Sequence, residues 1–99
     1  MAGLMEESPD LVMGFSALTE RTMFESDEIS LMHKELIAVA LSVYIKCEYC
    51  IVAHIHNALE AGATREQVLE AAGVAVEFGG GPAMAYTATL VQDCLEAFA

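Results

Sequence analysis

Along these 99 residues the apolar side chains recur every three or four positions in five successive stretches, and almost nothing alternates with the period of two that a strand requires. Each stretch is bounded by residues that start or stop helices. Ser8-Pro9 reads as an N-cap followed by proline at the first helical position, and Leu11, Val12, Phe15, Leu18 and Thr22 follow at helical spacing. Ser26 or Asp27 can cap a second helix, marked by Ile29, Met32, Leu36, Val39, Ala40 and Val43 and running to about Tyr44. A third starts near Lys46 to Glu48, carries Cys47, Cys50, Ile51, His54, Ile55 and Leu59, and stops at Gly62, a natural left-handed terminator. Thr64-Arg65-Glu66-Gln67 has the form of a capping box and opens a fourth helix through Val68, Leu69, Ala72, Val76 and Phe78. After the break at Gly79-Gly80-Gly81, Pro82 starts a fifth with Met84, Ala88, Val91, Leu95 and Phe98 as its stripe. The glycine run lacks the lysine and preceding strand of a nucleotide loop, so it reads as a turn. The spacing therefore predicts an all-α protein: a compact bundle of about five to six helices, in a single domain over residues 1–99, because chains this short seldom divide.

A bundle of this size has little interior, yet 56% of the residues are hydrophobic, more than the ~45–50% usual in soluble domains. Part of that apolar surface is expected to meet another subunit. Fifteen acidic residues against four basic ones give a net charge of −11, which repels phosphate backbones and anionic lipid. Nucleic acid and membrane are thus not expected as partners. The acidic N-terminal stretch and the short, interrupted apolar runs resemble neither a signal peptide nor a membrane span, which predicts a cytoplasmic protein. An odd count of three cysteines does not make a disulfide framework, so Cys47 and Cys50 point to redox or metal chemistry.

On a helix, positions 47, 50 and 54 fall at i, i+3 and i+7, which gathers two sulfurs and an imidazole on one face. A Cys-x-x-Cys pair whose first cysteine lies at a helix N-terminus can close a disulfide, and the unpaired N–H groups there favour thiolate. Lys46 adds to that effect and Glu48 opposes it. His54, one turn past Cys50, is placed to take or relay a thiol proton. His33 and His56 are expected on the surface. Periodicity alone puts Glu35 on an exposed face; were it instead turned toward the third helix, burial would suit it to exchanging protons with His54. The helix-start argument favours Cys47 as the first nucleophile and proximity to His54 favours Cys50, so the order stays open.

Glu35, the run Cys47-Glu48-Tyr49-Cys50, His54 and the turn Ala61-Gly62-Ala63-Thr64 together resemble the signature of the alkyl hydroperoxidase D-like branch of the carboxymuconolactone decarboxylase superfamily, over about residues 9 to 98. The core of the pattern is a glutamate twelve residues before a Cys-x-x-Cys, with histidine four residues after the second cysteine. By this resemblance, Cys47 and Cys50 would cycle between dithiol and disulfide, His54 would relay protons, and Glu35 would be the acid/base that communicates with His54 through a water. The resemblance further implies an oxidoreductase with peroxiredoxin-type, antioxidant activity on a small peroxide or disulfide, needing no cofactor, its reductant or redox partner protein unidentified, and assembled as a homo-oligomer, a trimer or hexamer. Two departures stand out. The best-known alkyl hydroperoxidase D has a histidine where this chain has Tyr49, and this chain carries a single copy of the helical unit, so that neighbouring subunits can complete its site.

Other chemistries compete on the same residues. Two thiols and an imidazole, with Glu35 as a fourth ligand, would suit zinc, although three of the four lie on one helix whereas structural zinc usually pins separate segments. Decarboxylation of a lactone acid would leave the cysteine pair unused. A non-catalytic scaffold would use the cysteines as core filling. Cys94 reads as a small buried residue, Met13, Met23, Met32 and Met84 as core or interface filling, and Tyr49 as a residue that packs at an interface in preference to lining the site.

Overall fold

The structure, a computed structural model, describes residues 2–98, and helices joined by short turns and loops account for most of them. No strand occurs among them, so the all-α expectation holds. Two compact units make up the chain, the first ending at Leu31 and the second starting at Met32.

The first unit holds α1 (Ala2–Glu7), a short helix that the sequence did not announce, and α2 (Pro9–Thr19), which continues as a π-helical turn over Glu20–Glu25. Pro9 starts α2 as expected, since its missing N–H is one that the first turn leaves unpaired anyway. Ser8 stands at the N-cap, but its hydroxyl makes no capping bond; its own N–H instead donates to the Leu4 carbonyl at 2.7 Å and ties α2 to α1. Of the expected stripe only Val12 is buried, while Leu11, Phe15 and Leu18 stay exposed. Ser26 does not open the next helix. Its N–H donates back to the Arg21 carbonyl at 3.1 Å and its backbone turns extended, which ends the π turn.

The second unit contains the core. Helix α3 (Leu31–Ile45) starts later than Ser26 or Asp27 would set it, and Ile29 is exposed. Val39 and Val43 of α3 join Ile51, Ile55 and Ala58 of α4 (Glu48–Glu60) and Val68, Ala72 and Ala75 of α5 (Arg65–Gly79) in one buried cluster. The predicted capping box is present: the Gln67 N–H donates to Thr64 Oγ1 at 3.1 Å, and the Thr64 N–H to Gln67 Oε1 at 2.8 Å. A final helical rod closes the cluster with Ala83, Val91, Cys94 and Leu95; it runs as α6 (Gly81–Tyr86), a π-helical turn over Thr87–Val91, and α7 (Gln92–Phe98). Thr87 and Thr89 donate their hydroxyls to the carbonyls of Ala83 and Ala85, four residues back, at 2.9 and 2.7 Å. Such competition with the backbone ladder accompanies the π turn. The glycine break serves as a turn, with Gly80 at φ 69° and a Cβ on Gly79 falling 3.0 Å from that of Ala83. Phe78, Met84, Ala88 and Phe98, all counted in apolar stripes from their spacing, are exposed; Phe78 is 79% so.

Candidate active site

Two helix ends in the second unit close by the same device. After α4, the Gly62 N–H donates to the Leu59 carbonyl and the Ala63 N–H to that of Ala58, with Gly62 at φ 103°, which is the Schellman arrangement. After α3 the pattern repeats with Lys46 to Val43 at 3.2 Å and Cys47 to Ser42 at 3.1 Å, but here the left-handed position, φ 59°, is held by Lys46 instead of glycine. This tight corner delivers Cys47 to the N-cap of α4. The Lys46 ammonium turns back to the Tyr44 carbonyl at 3.2 Å. Ser42, a buried hydroxyl in an apolar stripe, donates to the Ala38 carbonyl at 2.6 Å while its own carbonyl receives the Cys47 N–H.

Cys47 and Cys50 are joined as a disulfide across the first turn of α4, with their Cα atoms 5.2 Å apart. Cys47 Sγ also accepts the Cys50 N–H at 3.3 Å, so it occupies the place that a serine or aspartate oxygen takes at other N-caps. Both cysteines are half-buried. One turn on, His54 is half-buried as well, and its Nδ1 lies 2.7 Å from Glu35 Oε1 on α3. Glu35 is only 4% exposed, which corrects the exposed face that its periodicity suggested. The two side chains also touch directly, without the intervening water that the resemblance implied. With Glu35 Oε1 as the acceptor and Nδ1 as the donor, the uncharged ring carries no hydrogen on Nε2.

The remaining candidates lie elsewhere. His56 is exposed, 3.7 Å from Glu60 Oε1 and edge-on to the Phe98 ring at 5.2 Å; His33 is exposed beside Leu36 and Val74. Cys94 is buried and reduced, and burial first, the Asp93 charge second, push its thiol above the ordinary range. Tyr49 is 92% exposed, so nothing in the protomer packs on it. With Glu48, Val52, Ala53 and Leu90 it lines a groove of about 400 Å³ along the flank of α4, a feature that periodicity could not reveal because Leu90 comes from the π turn. Among the described residues no three His, Cys, Asp or Glu side chains stand together as a metal-holding group.

The model of the carboxymuconolactone decarboxylase family matches residues 9–93, which takes in the corner, the cysteine pair and the Glu35–His54 contact. The chain belongs to the carboxymuconolactone decarboxylase family. A crystal structure of an apo family member from Legionella pneumophila superposes with a TM-score of 0.89 at 38% identity, covering 98% of this chain and 85% of that one. An uncharacterised protein of Cupriavidus necator is 49% identical over 53 residues, 54% of this chain and 47% of its own length. Another, described as uncharacterised protein 4 in the cox locus of Paracoccus denitrificans, is 39% identical over 72 residues, 73% of this chain and 64% of its own. The chain thus spans between about half and two thirds of the length of these two curated relatives. No helix among the described residues is long and apolar enough to cross a membrane.

Proposed function

We infer that this family member is a dithiol-dependent peroxidase or protein disulfide reductase, with Cys47 and Cys50 as the redox pair and His54 and Glu35 as its proton relay. One observation carries the reading: a disulfide at a helix N-terminus, one turn from a histidine that is anchored on a buried carboxylate. With a hydroperoxide, one thiolate attacks the outer oxygen, the O–O bond breaks, and the alcohol leaves with a proton from the His54 imidazolium. The sulfenic acid so formed is attacked by the second thiol, which closes the disulfide and releases water. Two thiols and one hydroperoxide thus become one disulfide, one alcohol and one water. An external dithiol then returns two electrons and two protons. With a disulfide substrate, the thiolate attacks sulfur, and the second thiol displaces the substrate's reduced form. His54 Nε2 is the proton acceptor at each thiol, and Glu35 holds the ring in the tautomer that leaves Nε2 free.

The exposed Leu11, Phe15, Leu18, Ile37, Leu41 and Phe78 side chains support assembly as a homo-oligomer, for which the family resemblance suggests a trimer or hexamer, and the acidic charge supports a role away from nucleic acid and anionic lipid. The test is thiol titration of the reduced protein before and after one equivalent of hydroperoxide, with mass-spectrometric mapping and a Cys50→Ser control. A Cys47–Cys50 bond that forms rapidly and is lost in the control supports the reading. Thiols that stay reduced defeat it. The family match favours one other reading, decarboxylation of a lactone acid, and turnover of such an acid that survives replacement of both cysteines would establish that instead.

A further inference from the structure

One residue beside the cysteine pair is held in a costly backbone conformation, and the proton relay makes no use of it. Lys46, at the corner between α3 and α4, is left-handed with φ 59°. Residues other than glycine adopt this conformation at a cost, because Cβ crowds the following carbonyl oxygen. After α4 the chain makes the same Schellman turn with Gly62 and avoids the cost. Strain kept at one of two equivalent corners, the one that abuts the sulfurs, points to a use for the side chain.

What lysine brings to the corner, and glycine cannot, is charge. Its ammonium bonds the Tyr44 carbonyl at 3.2 Å, a neutral partner that holds the charge at the corner without cancelling it. Among the described residues no carboxylate is ion-paired with it. The next residue is Cys47, whose Sγ stands at the N-cap of α4 and accepts the Cys50 N–H. The carboxylates of the site both oppose a thiolate there: Glu48 is exposed in the first turn of α4, and Glu35 is buried against His54. Lys34, the other lysine, lies twelve residues back along α3, about 18 Å at about 1.5 Å per residue. The positive charge beside the N-cap sulfur is therefore that of Lys46, added to the unpaired N–H groups of the helix end.

We propose that Lys46 is a positioning residue that tunes the redox pair: its charge, kept at the corner in spite of the strain, favours the Cys47 thiolate and shifts the Cys47–Cys50 equilibrium toward the dithiol. The assignment rests on the dithiol reading of the active site and adds to it. His54 and Glu35 move the proton, whereas Lys46 governs how much thiolate stands ready and how strongly the disulfide oxidises its partner, since a stabilised thiolate makes the reduced form the better one.

The experiment equilibrates the full chain with reduced and oxidised glutathione and reads the oxidised fraction of the pair by mass spectrometry. In that exchange the protein disulfide and two glutathione thiols become the protein dithiol and one glutathione disulfide, and the Cys47 proton passes to solvent as the thiolate forms. A unit charge at an exposed position changes such an equilibrium by about threefold. Lys46→Arg should keep the wild-type constant, Lys46→Met and Lys46→Gly should each shift it about threefold toward the disulfide, and Lys46→Glu about tenfold. The pH dependence of Cys47 alkylation by iodoacetamide should move upward in the same order, and roughly 1 M salt should compress the series. Lys46→Gly relaxes the corner while it removes the charge, so a shift shared with Lys46→Met follows the charge and not the backbone. A constant indifferent to the charge at position 46, or one altered by the glycine variant alone, would overturn the assignment and leave the dithiol reading intact. A reduced pair that neither a hydroperoxide nor oxidised glutathione can oxidise would instead remove the dithiol reading, and the assignment with it.

Discussion

Replacing Glu35 by glutamine isolates what the buried carboxylate contributes. The amide keeps the shape and can still accept the Nδ1 hydrogen of His54, so what is lost is the charge facing the ring. A hydrogen bond to a charged group is worth about 1.5–3 kcal/mol and a neutral one about 0.5–1.5, so the difference is about 1–1.5 kcal/mol at the moment His54 becomes an imidazolium. Glu35 is 4% exposed and 2.7 Å from Nδ1, so solvent does little to screen that difference. The rate of disulfide closure should fall roughly tenfold. Stopped-flow loss of thiol after mixing the reduced protein with hydroperoxide measures it directly. His54→Gln should cost more, and adding Glu35→Gln to that variant should cost nothing further, because the carboxylate acts only through the ring. A tenfold loss from Glu35→Gln in both backgrounds would refute the relay and put Glu35 in some separate role.

Other consequences follow from the same structure. Lys46→Gly should raise the denaturant midpoint, by about 1 kcal/mol of stability, because glycine adopts the left-handed turn without the Cβ penalty; an unchanged or lower midpoint would show that the Lys46–Tyr44 bond outweighs the strain. Ile55→Ala, at a fully buried core position, should cost about 2–5 kcal/mol in the same measurement, and a loss below about 1 would mean that the site collapses around the gap. Cys94 should resist iodoacetamide in the native reduced protein while Cys47 and Cys50 react. Since the folded chain holds the Cys94 proton beyond the pH at which the unfolded chain releases it, that contribution is complete below the ordinary thiol range and is lost as pH rises toward the raised value. Cys94→Ala should therefore flatten the alkaline fall of the denaturant midpoint, and an unaltered slope would rule Cys94 out as its source.

Cys47, Cys50 and His54 were legible because one rule, about 100° of turn per residue, aligns them whatever the tertiary structure. Glu35 was not. The structure buries it on the same side of α3 as Val39 and Ser42, but a carboxylate is ordinarily solvated, and only its partner 19 residues away explains its burial. Helix α3 misleads for a second reason. It is apolar on both faces, with Val39 and Val43 inside and Ile37 and Leu41 exposed, so periodicity could not choose between them. The capping box at Thr64 and the stop at Gly62 were readable as local chemistry. The stop at Lys46 was hidden by the absence of glycine, and the late start of α3 by Ser26, which resembles a beginning and forms an end.

The bond between Cys47 and Cys50 spans a single turn of a single helix, with a sequence separation of 3. A cross-link that short restrains the unfolded chain by only about 2 kcal/mol, against nearly 5 for one that bridges a hundred residues. No two helices are tied together by it, and none has to part when it opens. The buried cluster of Val39, Ile51, Ile55 and Val68 is built without either sulfur. On the dithiol reading proposed above, electrons would be stored and released at the tip of α4 while the architecture beneath stands still, with nothing to rebuild at each cycle.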